Sequence, residues 1–122
     1  MNRILVVEDE ADLVVTYDRL LRRQGYRVVT AASRVEGLKA LESAPPTLVI
    51  ADLRLPDGDG LDIIQAAHAR DPKVPVIVVT AFASRAARAA AQASGASAFL
   101  AKPFPASALL RLVHDELERS TR

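Results

Sequence analysis

The chain has 122 residues, half of them apolar, with 16 Lys plus Arg against 15 Asp plus Glu and a net charge of +1. That length predicts one domain across residues 1–122 with one hydrophobic core, and the balance of charge gives no sign of a nucleic-acid or membrane surface. There is no cysteine, which excludes a disulfide framework and a thiolate metal site and is compatible with a reducing, cytoplasmic setting. The first apolar run is too short for a secretory signal, and no run approaches the ~20 residues a membrane span requires.

In chain order the elements alternate. Ile4–Val7 predicts a first strand, and Ala11–Gln24 a helix closed by Gly25. Val28–Ala31 predicts the second strand. Ser33 then caps a helix to Ser43, with Glu36 placed for a capping box and Pro45–Pro46 preventing continuation. Leu48–Ala51 predicts a third strand, Gly60–Ala69 a helix, and Val74–Val79 a fourth strand. A helix over Ser84–Ser94, closed by Gly95, precedes a fifth strand at Ala98–Ala101 and a last helix over Ala106–Arg119. The first, third and fourth strands are continuous apolar runs (ILVV, LVIA, VIVV), the pattern of strands buried on both faces. This alternation predicts a doubly wound α/β sheet, because right-handed crossovers place helices on both of its faces. In such sheets the functional residues lie just past the carboxyl ends of the strands.

Four strand ends supply a polar group there. Glu8–Asp9–Glu10 follows the first, Asp52 the third, Thr80 ends the fourth and Lys102 follows the fifth. Any one of these is an ordinary residue at a strand end, and the acidic triplet alone would suit a helix N-terminus. Glu8, Asp9, Asp52, Thr80 and Lys102 together are three carboxylates, a hydroxyl and an ammonium directed to one edge. Converging Glu8, Asp9 and Asp52 would repel one another unless a cation sat among them. Hard oxygen donors suit Mg²⁺, which needs only one or two carboxylates plus phosphate oxygens.

The set resembles the receiver domain of two-component response regulators, over Ile4 to about Leu117. The motifs that carry the resemblance are ILVVEDE, LVIADLRLPDGDGLDII, VIVVTAF and AFLAKPF. It implies a flavodoxin-like five-stranded parallel sheet of order 2-1-3-4-5 with five helices. It also implies that Asp52 is the phosphoacceptor and takes the phosphoryl group from the phosphohistidine of a histidine kinase or phosphotransfer protein. Asp9 would bind Mg²⁺ directly, Glu8 through water, and the Arg54 carbonyl would be the third protein ligand. Lys102 would pair with the phosphoryl group, and the Lys102–Pro103 bond would be cis. Thr80 and Phe99 would form the switch that carries the signal to the face of the fourth helix, fifth strand and fifth helix, where an output domain or a second receiver would dock. The domain would be a signalling module that assists its own phosphorylation and dephosphorylation, with no direct nucleic-acid binding. The loop after the acceptor reads LPDGDG where many relatives have MPxMDG.

Readings from other classes fit less well. A flavin-binding module of this fold needs a Gly-, Ser- or Thr-rich phosphate loop after the first strand, where this chain has Glu8–Asp9–Glu10. A phosphatase with an aspartate nucleophile usually carries a second carboxylate two residues on, where this chain has Arg54. An interaction domain that has lost phosphorylation would not be expected to keep all four polar strand ends. On the first helix, Leu13, Tyr17, Leu20, Leu21 and Gln24 are predicted to form a buried stripe, with Val15 exposed on the opposite side as a contact for a kinase helix.

Overall fold

A computed structural model describes residues 2–120. Met1, Thr121 and Arg122 lie outside the described residues.

The elements are β1 (Arg3–Val7), α1 (Ala11–Arg23), β2 (Arg27–Ala31), α2 (Arg34–Ser43), β3 (Leu48–Ala51), β4 (Arg54–Leu55), β5 (Gly58–Asp59), α3 (Leu61–Arg70), β6 (Val76–Thr80), α4 (Arg85–Ala93), β7 (Ala98–Ala101) and α5 (Ala106–Ser120). The main sheet is parallel throughout, in the order β2-β1-β3-β6-β7. This is the expected 2-1-3-4-5 order once the short β4–β5 pair, which lies outside the sheet, is set aside.

The continuous apolar strands are explained by two cores, one on each face. Leu5, Val7, Val49, Ala51, Val76 and Val78 face α2 and α3, together with Leu41, Ile63 and Ile64. Ile4, Val6, Leu48, Ile50, Ile77 and Val79 face α1 and α5, together with Tyr17, Leu21, Leu109 and Val113. Alternate residues of each central strand therefore enter opposite cores. Every residue of β1 after Arg3, and every residue of β3 and β6, is buried. Each Val, Leu or Ile among them contributes about 1.5–3 kcal/mol by leaving water. β2 and β7 are edge strands and are less covered.

The helix ends follow their capping residues. Ser33 accepts the Glu36 N–H at 3.1 Å and Ser84 the Ala87 N–H at 3.0 Å. Glu36 turns back as a capping box predicts but takes the N–H of Ala32, one residue earlier than Ser33, at 2.8 Å. Gly25 has φ +89 and its N–H returns to the Arg22 carbonyl at 2.9 Å, which closes α1 in a backbone conformation that favours glycine.

Three expectations are corrected. The fourth sheet strand starts at Val76 rather than Val74, because Pro75 has no N–H to give the ladder, although its carbonyl accepts from Val49 at 3.0 Å. Gln24 does not join the buried stripe of α1; it is exposed at the C-cap, past the last helical turn. The β4–β5 hairpin was not anticipated, though the Pro56–Asp57 turn between its strands, with Gly58 directly after it, has suitable chemistry.

Candidate functional site

The carboxyl ends of β1, β3, β6 and β7 open on one edge, and the chain uses each. β1 delivers Glu8, whose amide is held by the Ala31 carbonyl at 2.9 Å, and β3 delivers Asp52, whose amide is held by Val7 at 3.1 Å. Parallel pairing thus fixes both carboxylates at the same height. β7 delivers Lys102, whose amide donates to the Thr80 carbonyl at 2.9 Å, and the Lys102–Pro103 peptide bond is cis.

Lys102 Nζ lies 2.7 Å from Asp52 Oδ2, 2.8 Å from Glu8 Oε1 and 3.2 Å from Glu10 Oε1. An ammonium has three protons, and here each meets a different carboxylate. The second oxygens are also held: Glu8 Oε2 accepts the Glu10 N–H at 3.2 Å, and Asp52 Oδ1 accepts the Arg54 N–H at 3.1 Å. Glu8 is 1% exposed and Asp52 6%. Burial pushes the Glu8 carboxyl above its ordinary range, and the bonds from Lys102 and the Glu10 amide only partly offset this. Burial alone would lower the Lys102 pKa, but the bonds and charges of Asp52 and Glu8 outweigh it and hold the ammonium above the ordinary lysine value. Tyr17 on α1 is buried beneath this edge. Its phenol is pushed well above the ordinary range, first by burial and then by the charges of Glu8, Asp52 and Glu10.

The remaining expected residues fall around this centre. Thr80 is fully buried at the end of β6, and its Oγ1 accepts the Phe82 N–H at 3.1 Å. The Arg54 guanidinium stacks on the Phe82 ring, 3.6 Å from its centroid, so the loops after β3 and β6 are joined across the site. Phe99 stands on β7 away from the carboxylates, half-buried, under the Arg88 guanidinium at 4.5 Å.

Asp9 is where sequence and structure part. The carboxylates brought within 4.8 Å of one another are those of Glu8, Glu10 and Asp52, and Asp9 is exposed outside that group. Glu10 was available as the third acid of EDE, but residue spacing does not say which side chain of a turn points inward. The donor set remains all hard oxygen and fits Mg²⁺. Three carboxylates share one ammonium, so the cluster keeps a formal excess of two negative charges that a dication would neutralise.

Residues 4–114 match the response regulator receiver domain. The chain belongs to the response regulator receiver domain family. The receiver is 38% identical over 117 residues to the transcriptional regulatory protein GlrR of Escherichia coli K12, a match that covers 96% of this chain and 26% of GlrR. It therefore spans about a quarter of that relative's length, as the 26% records. Among solved structures it is similar to a CheY-like receiver domain protein from Methanospirillum hungatei JF-1, with TM-score 0.95, 30% identity and 99% and 97% of the two chains covered. It is also similar to the beryllofluoride-activated NtrC4 receiver domain dimer, with TM-score 0.92, 31% identity and 98% and 99% covered. Receiver domains are signalling domains of two-component systems, and that role extends to this chain. No helix among the described residues is long and apolar enough to cross a membrane.

Proposed function

We propose that this receiver accepts a phosphoryl group on Asp52 from the phosphohistidine of a partner histidine kinase or phosphotransfer protein, in the presence of Mg²⁺, and so switches an output surface. The observation that carries this reading is the Asp52 Oδ2–Lys102 Nζ contact of 2.7 Å, within a buried cluster at the carboxyl edge of the sheet. A carboxylate held by an ammonium and an amide is aligned as a nucleophile, and phosphoryl transfer asks the protein mainly for alignment and charge neutralisation.

In the transfer, an Asp52 oxygen gives its electron pair to phosphorus while the P–N bond to the kinase imidazole breaks. The pair from that bond returns to the ring nitrogen. Lys102, already at Asp52, would then face the phosphoryl oxygens, and the Thr80 hydroxyl would swing toward them and donate to one. The amides of Arg54 and Ala81 complete the donor set. Glu8, Asp52 and the Arg54 carbonyl, with Asp9 turned in from its exposed position, would hold Mg²⁺, which when bound supplies positive charge to the transferring group. Water hydrolyses the same acyl phosphate later, so the domain assists both its loading and its clearing. The α4–β7–α5 face, which carries Arg85, Arg88 and Arg111, is assigned to an acidic output partner or a second receiver, and a cytoplasmic setting suits this role.

Labelled phosphate from a phosphorylated kinase, and beryllofluoride with Mg²⁺, should both load the wild type and not Asp52→Asn. Equal loading of the variant would place the acceptor elsewhere.

A further inference from the structure

Asp57 has no task in the reading above. It lies at the tip of the β4–β5 hairpin and reaches out of its own loop to α2. Its Oδ1 accepts the Arg34 N–H at 2.7 Å and its Oδ2 the Val35 N–H at 2.9 Å. These are the first two amides of α2, which no carbonyl inside the helix can satisfy. Ser33 takes the Glu36 amide at 3.1 Å, so α2 is capped once locally and once from across the fold. Arg34 completes a clamp. Its Nε donates to Asp62 Oδ2 at 2.7 Å, in the first turn of α3, and its methylenes cover Gly58, where a Cβ would stand 2.6 Å from Arg34 Cδ. The Val35 and Arg34 amides hold the Asp57 carboxyl below the ordinary carboxylate range although it is exposed.

The segment so clamped is the one that faces Asp52. Arg54 opens the hairpin, and its N–H is on Asp52 Oδ1 at 3.1 Å. Gly60 closes it, with its N–H on the Leu53 carbonyl at 2.9 Å and no room for a side chain, since a Cβ would lie 1.9 Å from the Asp52 carbonyl oxygen. Each hairpin strand has only two residues, and a two-stranded ribbon is marginal in water even when longer. The position of the Arg54 backbone therefore depends on what anchors the tip.

We propose that Asp57 is a positioning residue for the cation site: by capping α2 from the hairpin tip it holds the Arg54 carbonyl beside Asp52. This rests on the reading of Asp52 and Arg54 given above. The isolated surface pair Arg34–Asp62 is worth little alone, so the bidentate cap is the anchor and the pair its brace. Coupling is reciprocal, so cation binding beside Asp52 must also tighten the cap on α2.

The test is a MgCl2 titration of the whole domain followed by backbone amide chemical shifts, with hydrogen exchange at Arg34 and Val35. Asp57→Ala should raise the Mg²⁺ Kd about tenfold, the scale on which supports behind metal ligands act, while the shifts of β1, β3 and β6 stay in place. Asp57→Asn keeps one acceptor oxygen and should fall between, and it carries the comparison if the alanine variant folds poorly. Mg²⁺ should slow exchange of the Arg34 and Val35 amides in the wild type and not in Asp57→Ala. An unchanged Kd in both Asp57 variants, beside lost binding in Asp52→Asn, overturns the clamp and leaves the phosphoacceptor reading standing. A wild type whose amides near Asp52 ignore Mg²⁺ overturns that reading itself.

Discussion

Lys102 divides its three protons among Asp52, Glu8 and Glu10, and this division shapes what each acid does. Glu8 is buried and its carboxyl is raised, whereas Asp9, the next residue, is exposed and outside the cluster. The role proposed for Asp9 can be tested directly. Asp9→Asn should slow phosphorylation strongly while the thermal midpoint holds or rises, because an acid is removed from a crowded anionic edge. Phosphorylation at the wild-type rate would take Asp9 out of the metal set. Arg54 makes a second prediction. Its guanidinium and the Phe82 ring, 49% exposed, bridge the loops that follow β3 and β6. Arg54→Ala, which breaks this bridge, should change the life of the aspartyl phosphate several-fold, measured by loss of label after the donor is removed. An unchanged rate would leave the side chain without a role there. Asp52, Glu8, Thr80 and Lys102 were legible in the sequence because a parallel strand fixes which residue leaves its carboxyl end. Glu10 was not, because Glu10 is the N-cap of α1 with φ −76 and ψ 109, and side-chain direction there follows the backbone turn rather than a period. The Arg54–Phe82 stack joins two loops far apart in the chain, and no local pattern announces it.

Among the elements, α1 has the clearest division of faces. Tyr17 and Leu21 are buried against β1 and α5, Leu13 and Leu20 are partly covered, and Val15 stands 55% exposed on the far side. The helical period made this split legible, and it failed only at Gln24, where the helix had already ended. Val15 lies on the helix that follows the acidic turn, so a kinase helix docking over Asp52 would meet it. Val15→Asp should weaken phosphoryl transfer from the cognate kinase and leave loading by a small phosphodonor unchanged. Equal loss with both donors would point to damage to the fold, and no loss with either would remove Val15 from the interface. α2 shows the opposite case. Ser33 was legible as its cap because the signal is local. Asp57, which satisfies two more of its amides, comes from a loop later in the chain, and tertiary capping leaves no trace in spacing. The hairpin that carries Asp57 was missed for a related reason: strands of two residues are too short to show alternation, and only their Pro–Asp–Gly turn marks them.

At the scale of the molecule, the question is how charge at Asp52 would reach the α4–β7–α5 face proposed as the output surface. Thr80 and Phe99 lie on neighbouring strands, β6 and β7, where Thr80 pairs with Ala101 and Val78 with Phe99. Thr80 Oγ1 is engaged by the Phe82 amide at 3.1 Å, and Phe99 is half-buried beneath Arg88. A phosphoryl group adds about −1.5 to −2 charge and three acceptor oxygens. A partly exposed cation–π contact such as Arg88–Phe99 is worth about 0.5–1 kcal/mol. A charge-assisted hydrogen bond, at about 1.5–3 kcal/mol, exceeds that, so a bond from the Thr80 hydroxyl to the phosphoryl group can displace the resting arrangement. Were Thr80 to move toward Asp52, space would open behind β6 and the Phe99 ring could turn into it, leaving Arg88. The surroundings permit this: 11 of the 21 residues from Ala81 to Ala101 are alanine, and a pocket lined by Arg88, Ala91, Gln92 and Phe99 borders the ring. Freed from Phe99, Arg88 would join Arg85 and Arg111 in presenting positive charge to a partner. Structures of the domain alone and with beryllofluoride and Mg²⁺ should show the Thr80 hydroxyl shifted toward Asp52 and Phe99 in an inward rotamer. Thr80→Ala should take up the phosphoryl group more slowly and uncouple the Phe99 rotamer from loading, since the hydroxyl that links the two is gone. If Phe99 keeps one rotamer in both states and Thr80 does not move, the signal leaves the site by another path, and the α4–β7–α5 face loses its claim to be the output surface.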